Sequence, residues 1–228
     1  MRIGYTPNRG SLSREFSKKI PGDVVGNIAI LKFDRSISLA AKKKFAVDYL
    51  KKNKSVTTVL EKVGKFSGRL RTLKTRWLAG LKTREALYRE NGCEFRFNVD
   101  TCYFSPRLSE ERKKVASFVK RGERVLVMFG GVAPFAIVIG KRLKSFKLNA
   151  RLTREVASNY LPMNLKQLRS PTLRQRRNNN SNFASSVVSV ELGKECSRYA
   201  LENVKRNKLT GVVEIVQGDV RRMIGAGK

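Results

Sequence analysis

The chain of 228 residues contains no histidine. That removes the commonest general base, metal ligand and member of a catalytic triad. Any chemistry has to come from carboxylates, arginines or a bound cofactor. Cysteine is scarce: Cys93, Cys102 and Cys196 are too few and too scattered for a disulfide framework or a zinc site, so small buried thiols and no metal are expected. No uninterrupted apolar stretch is long enough to span a bilayer, so a membrane partner is not expected. Acids are also scarce. Eighteen Asp and Glu face 49 Lys and Arg, a formal net charge of +31. Self-repulsion of that size disfavours a compact state unless a polyanion is near. With 41% hydrophobic residues the chain is globular rather than disordered. RNA is therefore the expected partner.

The excess charge is unevenly spread. Residues 1–20 hold one acid, Glu15, among several Arg, Lys and Ser, and read as a basic arm that could lie on RNA or target an organelle. Residues 142–186 carry ten Lys and Arg and one acid, Glu155, and include Arg174-Gln-Arg-Arg-Asn-Asn-Asn-Ser-Asn182. This reads as a basic insertion, helical at first and then of low complexity.

Between these segments the periodicity predicts alternating strands and helices. Residues 24–33 read as a strand interrupted by Gly26, 38–52 as a helix with a lysine-rich outer face, and 55–63 as a strand. They suggest a small α/β RNA-binding module over residues 21–66. Residues 85–91 read only as polar, while 93–100 alternate, with Phe95, Phe97 and Val99 on one face. Ser109 opens a helix, with Glu110 and Glu111 in its first turn.

Residues 124–141 are the most informative stretch. The run Arg124-Val-Leu-Val-Met-Phe ends in Gly130-Gly131, and an apolar helical run follows. Strand, tight turn and helix in that order bring backbone against a cofactor in α/β proteins. Beyond the insertion, a strand ends at Glu191, a helix spans 194–208, and a further strand leads to Gly218-Asp219. The three strands form one half of a doubly wound α/β sheet. Glu191 is placed to accept hydrogen bonds from ribose hydroxyls, and Asp219 to face an adenine edge. With no Gly-x-Gly-x-x-Gly, the pattern favours S-adenosylmethionine over a dinucleotide. Phe129, Gly130 and Gly131 complete the cofactor set; the alternative is that both acids are turn or helix caps.

Leu78-Ala-Gly80, Tyr88-Arg-Glu-Asn-Gly92, Tyr103-Phe-Ser-Pro-Arg-Leu-Ser-Glu-Glu-Arg112, Met128-Phe-Gly-Gly-Val-Ala-Pro-Phe135 and Gly218-Asp-Val-Arg221 together support a family reading. The chain resembles the tRNA guanosine-37 N1-methyltransferases of archaea and eukaryotes, from about residue 24 to 222. The resemblance implies a class I methyltransferase-like (Rossmann-like) domain over residues 67–228, interrupted by the insertion. It implies that Arg71 stabilises charge on the guanine O6 and that Glu111 is the base at N1. Tyr103 and Arg107 then line the target pocket, Arg112 orients Glu111 or a phosphate, and Glu191 holds the cofactor ribose.

Two positions depart from the family. Val127 stands where its first strand ends in Asp, and Ala133 where it has a second Gly. Loss of a charge-assisted hydrogen bond there costs roughly 1.5–3 kcal/mol of cofactor binding. The family's Asn-Pro-Pro-like motif is absent, and the sheet is expected to be incomplete at its C-terminal side, leaving residues 124–129 as an open edge. The sequence therefore leans towards an RNA-binding protein on a methyltransferase scaffold with weak or no catalysis. In that reading it acts with protein partners in a ribonucleoprotein such as an organellar ribosome or its assembly intermediate, in the mitochondrion or the cytoplasm. The alternative is an active S-adenosylmethionine-dependent tRNA methyltransferase.

Overall fold

The computed structural model describes residues 20–146 and 186–221. The basic arm up to residue 19 and residues 147–185 of the insertion lie outside them. Described elements include β1 (Gly22–Val25), β2 (Ile28–Leu31), α1 (Leu39–Lys52), β3 (Thr58–Lys62) and β4 (Thr75–Gly80), which form the first sheet and its helix. The stretch read as one interrupted strand is a hairpin, β1 antiparallel to β2. Gly26 makes its turn at φ +58, and a Cβ there would lie 1.9 Å from the Leu87 carbonyl oxygen. Ser38 caps α1 by accepting from the Ala41 amide. Helix α1 then carries the chain from β2 to the parallel strand β3, burying Phe45, Ala46 and Tyr49. β4 adds antiparallel to β3, giving the order β1-β2-β3-β4, so the first sheet continues beyond residue 66.

The polar segment 85–91 is a strand. β5 (Glu85–Glu90) and β6 (Cys93–Asn98) pair through Asn91-Gly92, both at positive φ, as the Asn-Gly hairpin turn requires. The inward residues of β5 are Ala86, the half-buried Tyr88 and Glu90. A charge at the third position hides the alternation. Glu90 is tolerated inside because Arg112 grips it: Nε and Nη2 donate to the two carboxylate oxygens, and both side chains are at least 98% buried. Arg112 lies on α2 (Ser109–Phe118), which follows directly from a 3-10 turn at Pro106–Leu108.

The third sheet is parallel throughout, in the order β7 (Arg124–Met128), β8 (Ser186–Glu191), β9 (Val213–Gln217). A helix, α3, runs from 134 to 146, where the described residues pause; the basic segment therefore begins inside a helix whose Leu143 is fully buried. α4 (Lys194–Arg206) joins β8 to β9. As expected, β7 is an edge among the described residues, with Leu126 and Met128 about half exposed.

One hydrophobic cluster joins the hairpin to the third sheet through Phe95, Phe97, Ile137, Leu143, Tyr199 and Leu209. Two asparagines one helical turn apart, Asn203 on α4 and Asn207 at its C-cap, fix the register. Asn203 accepts from the Arg96 amide at 2.8 Å and donates to its carbonyl at 3.1 Å. Asn207 does the same for Glu94, at 2.9 and 2.7 Å. Their amides satisfy a strand edge as another strand would.

Arg112→Ala leaves Glu90 buried and unpaired, and is expected to cost about 3–5 kcal/mol in chemical denaturation. An Arg112→Met, Glu90→Leu double variant should recover most of that loss, whereas Arg112→Lys should not, since an ammonium cannot form the two-pronged contact.

Acid sensitivity follows from the carboxylates. Hydrogen bonds from Tyr199 and then Arg96 hold Glu85 below the usual glutamate range. Arg206 and Arg89 do so for Glu94, and Arg221 and Arg69 for Asp219. Because the folded-state values are depressed, the stabilisation is complete above the unfolded carboxylate values, about 4, and is lost as pH falls through the folded ones. Thermal midpoints should fall steeply below pH ~4 and change little between pH 5.5 and 8, where no histidine titrates.

Candidate functional site

The ends of β7, β8 and β9 converge on one cavity of about 450 Å³, within the range of small-ligand sites. After β7 the backbone turns through Phe129 (φ +57), Gly131 (φ +57) and Ala133 (φ +64) before α3 begins. Gly130 lies flat on β8: its amide donates to Val190 O at 2.9 Å, and a Cβ would sit 2.1 Å from Ser189 Oγ. Glu191 joins two turns. Its Oε2 accepts from the Gly131 amide and its Oε1 from the Gly193 amide, each at 2.7 Å. Each oxygen keeps a lone pair for a further hydroxyl.

A loop between β3 and β4 forms the opposite wall. Ser67 and Thr72 close it with reciprocal backbone bonds, and Arg71, at φ +53, sits at its tip. The Arg71 guanidinium stacks 3.8 Å above the Tyr103 ring centroid. Arg69, on the same loop, reaches Asp219 at 2.6 Å, and Arg221 approaches it at 3.2 Å. Asp219 is thus engaged by two arginines rather than open to an adenine edge, and its carboxyl is held well below the usual range. Sequence reasoning missed Arg69; its only signal was its place beside Arg71 in the Gly68-Arg-Leu-Arg block.

The structure therefore brings Arg71, Tyr103, Phe129, Gly130, Gly131, Glu191 and Asp219 to one cavity, with Phe129 largely exposed. It separates three other candidates. Arg107 lines an adjoining cleft of about 630 Å³, where it pairs with Asp23 at 2.6 Å. Glu111 is exposed on the first turn of α2 and lines neither space. Arg112 does not orient Glu111 or meet a phosphate, since its guanidinium is committed to Glu90 and to the Ser105 carbonyl at 3.1 Å. It reaches the cavity only as part of its floor. Val127, at the position of the family's acid, lines the cavity with an apolar side chain.

Among the described residues no group of three His, Cys, Asp or Glu could hold a metal. Nor is any described helix long and apolar enough to cross a membrane.

Residues 86–169 match the TRM5/TYW2 methyltransferase domain. The chain resembles the tRNA (guanine-N1-)-methyltransferase family. It is 39% identical over 136 residues to the tRNA (guanine(37)-N(1))/4-demethylwyosine(37)-methyltransferase Taw22 of Nanoarchaeum equitans, covering 56% of this chain and 43% of that protein. It is 29% identical over 201 residues to the tRNA (guanine(37)-N(1))-methyltransferase Trm5b of Pyrococcus abyssi, covering 88% of this chain and 48% of that protein. The crystal structure of Pyrococcus abyssi Trm5b superposes with a TM-score of 0.64 at 26% identity, over 96% of this chain and 55% of that one. The fold is thus of the class I methyltransferase type, and the chain spans about half the length of the curated relatives it matches.

Ala133 is strained and Ala136 is not, although both are fully buried. A left-handed backbone costs a non-glycine residue about 1–2 kcal/mol. Glycine relieves that cost at 133 but only weakens the helix at 136. Ala133→Gly should therefore be better tolerated than Ala136→Gly by about 1–2 kcal/mol in urea denaturation.

Proposed function

We propose that this chain methylates N1 of a guanosine in tRNA, with S-adenosylmethionine as the methyl donor. One observation carries this reading: a single cavity unites the acid-and-glycine wall of a nucleoside site with an arginine stacked on a tyrosine. The donor set fits the cofactor. Glu191 would hold the ribose hydroxyls on its free lone pairs, and the Gly130–Gly131 turn would run beside the amino-acid portion. The cofactor supplies an electrophilic methyl group. Arg71 meets the chemistry at the other end: as N1 loses its proton, negative charge grows on O6, and a guanidinium fixed over Tyr103 neutralises it. The names of the two curated relatives support both the substrate class and the position, guanosine 37.

A second reading keeps the scaffold for RNA binding with little catalysis, as an element of a large ribonucleoprotein. It draws on Val127 lining the cavity and on Asp219 being held by Arg69 and Arg221. The net charge of +31 suits either reading.

The two separate in one assay. Full-length protein is incubated with methyl-tritiated S-adenosylmethionine and a tRNA transcript carrying guanosine at position 37, and the nucleosides are then resolved. Label in 1-methylguanosine, lost when position 37 is adenosine, is expected. No label, with tRNA binding that weakens about 10³–10⁵-fold between 50 and 200 mM salt, would establish the second reading instead. Arg71→Ala should lower kcat about 10²–10³-fold with little change in tRNA affinity. Glu111 lines neither space, so it can take the N1 proton only where bound tRNA brings the target base to the first turn of α2. Glu111→Gln then lowers kcat about 10²–10⁴-fold with tRNA binding unchanged, and an unchanged kcat removes Glu111 as the base.

A further inference from the structure

The cleft beside the main cavity has no part in the reading above. It lies between the first sheet and residues 103–107, and shares Tyr103, Phe104 and Ser105 with the main cavity. Lys32, Lys62 and Arg107 line it against a single acid, Asp23. Phe66 forms an aromatic wall, edge-on to Tyr103 at 5.1 Å, with Lys62 Nζ 4.6 Å from its centroid. Phe66 as a residue is 40% exposed. We propose that this cleft is a second nucleotide seat, taking the single-stranded RNA residue next to the target base, and that Asp23 holds the place of its phosphate on Arg107 until RNA arrives.

The chemistry points to a nucleotide. A partly exposed aromatic among cations is how single-stranded nucleic acid is held without sequence preference. Here Lys62 and Arg71 lie over the Phe66 ring, at 4.6 and 5.8 Å, and a stacking base would take the place of Lys62 as that side chain turns to the RNA backbone. At about 630 Å³ the space is ample for one nucleotide. Because the two spaces share the Tyr103 wall, consecutive nucleotides can enter on either side of it. The Asp23–Arg107 pair is half exposed on both sides and joins residues 84 apart in sequence. Such surface pairs contribute only about 0–1 kcal/mol, so a phosphate that offers Arg107 two oxygens can displace the carboxylate.

The inference rests on RNA being the substrate, and the test keeps the two apart. Full-length wild type, Phe66→Ala, Asp23→Asn and, as a charge control, Asp48→Asn on α1 are titrated against a fluorescein-labelled single-stranded RNA nonamer and a tRNA transcript, by anisotropy at 50–200 mM salt. Phe66→Ala is expected to weaken nonamer binding about 5- to 150-fold with an unchanged salt slope, as the loss of one stacked base predicts. Asp23→Asn should tighten it several-fold more than Asp48→Asn does. Thermal midpoints close to wild type confirm that these partly exposed positions leave the fold intact. If wild type binds both RNAs and neither Phe66→Ala nor Asp23→Asn alters affinity, the seat is disproved and the RNA reading stands. If Asp23→Asn tightens binding no more than Asp48→Asn, the exchange at Arg107 is disproved. Failure of wild type to bind either RNA at 50 mM salt would remove the RNA reading itself.

Discussion

The Arg112–Glu90 pair is the constraint on which the site depends. It joins the β5–β6 hairpin to α2 and, through the Ser105 carbonyl, to the loop that carries Tyr103. Phe104 packs beneath it, with the guanidinium 5.0 Å from its ring centroid and Phe97 stacked against the other side at 4.6 Å. Tyr103 therefore projects from a backbone fixed on both flanks by buried groups. Arg71 gains its orientation by stacking on that ring, so the position of the guanidinium is inherited from a charge pair it never touches. A buried pair is a poor source of net stability, because desolvation offsets most of the attraction. Its worth here is geometric: one arginine, reaching both carboxylate oxygens and a carbonyl, permits a single placement of the loop.

Glu191 plays the matching part on the cofactor side. Its two oxygens hold the turns after β7 and β8 together before any ligand is present. That presets the cradle and leaves half of its acceptor capacity for hydroxyls. Asp219 is in the opposite state, since two arginines already hold it. Arg69 shares its short loop with Arg71. The rim of the nucleoside site and the arginine over Tyr103 are thus mechanically joined, and a shift of that loop alters both walls of the cavity together.

Much of this was legible in the sequence. The Gly130–Gly131 turn, the acid closing β8, the capped helix α1 and the Phe95–Phe97 face each follow local rules of period and turn chemistry. The cavity partners Arg71 and Tyr103 came from resemblance, because 32 residues separate them and no local pattern links them. What failed did so for physical reasons. β5 escaped notice because its third inward residue is Glu90, whose partner lies 22 residues away. Gly26 was read as an interruption, although Gly26-Asn27 between two apolar runs is a two-residue hairpin signal; the left-handed φ of Gly26 makes that pair the turn between β1 and β2. Arg112 was placed at the pocket by the resemblance, as the neighbour that orients Glu111 or a phosphate. Its burial is decided by Glu90, which composition cannot reveal.

The distribution of the few acids gives the charge imbalance its meaning. Glu61 is paired with Lys42, Glu85 with Arg96, Glu90 with Arg112 and Asp100 with Arg84, while Glu94 bonds both Arg89 and Arg206. Several of these pairs join segments distant in sequence. These carboxylates act as fasteners between segments, while the exposed acids that remain, such as Asp34, Glu110, Glu111, Glu123 and Glu214, are too few to balance the lysines and arginines. The unbalanced cations are left outward, where they repel one another and lower the stability of the isolated chain. A polyanion that binds the folded form reverses that penalty through mass action. The same +31 that makes the free protein self-repulsive therefore couples its stability to whatever polyanion binds it, which under the proposed function is the tRNA whose guanosine meets the cavity walled by Arg71 and Tyr103.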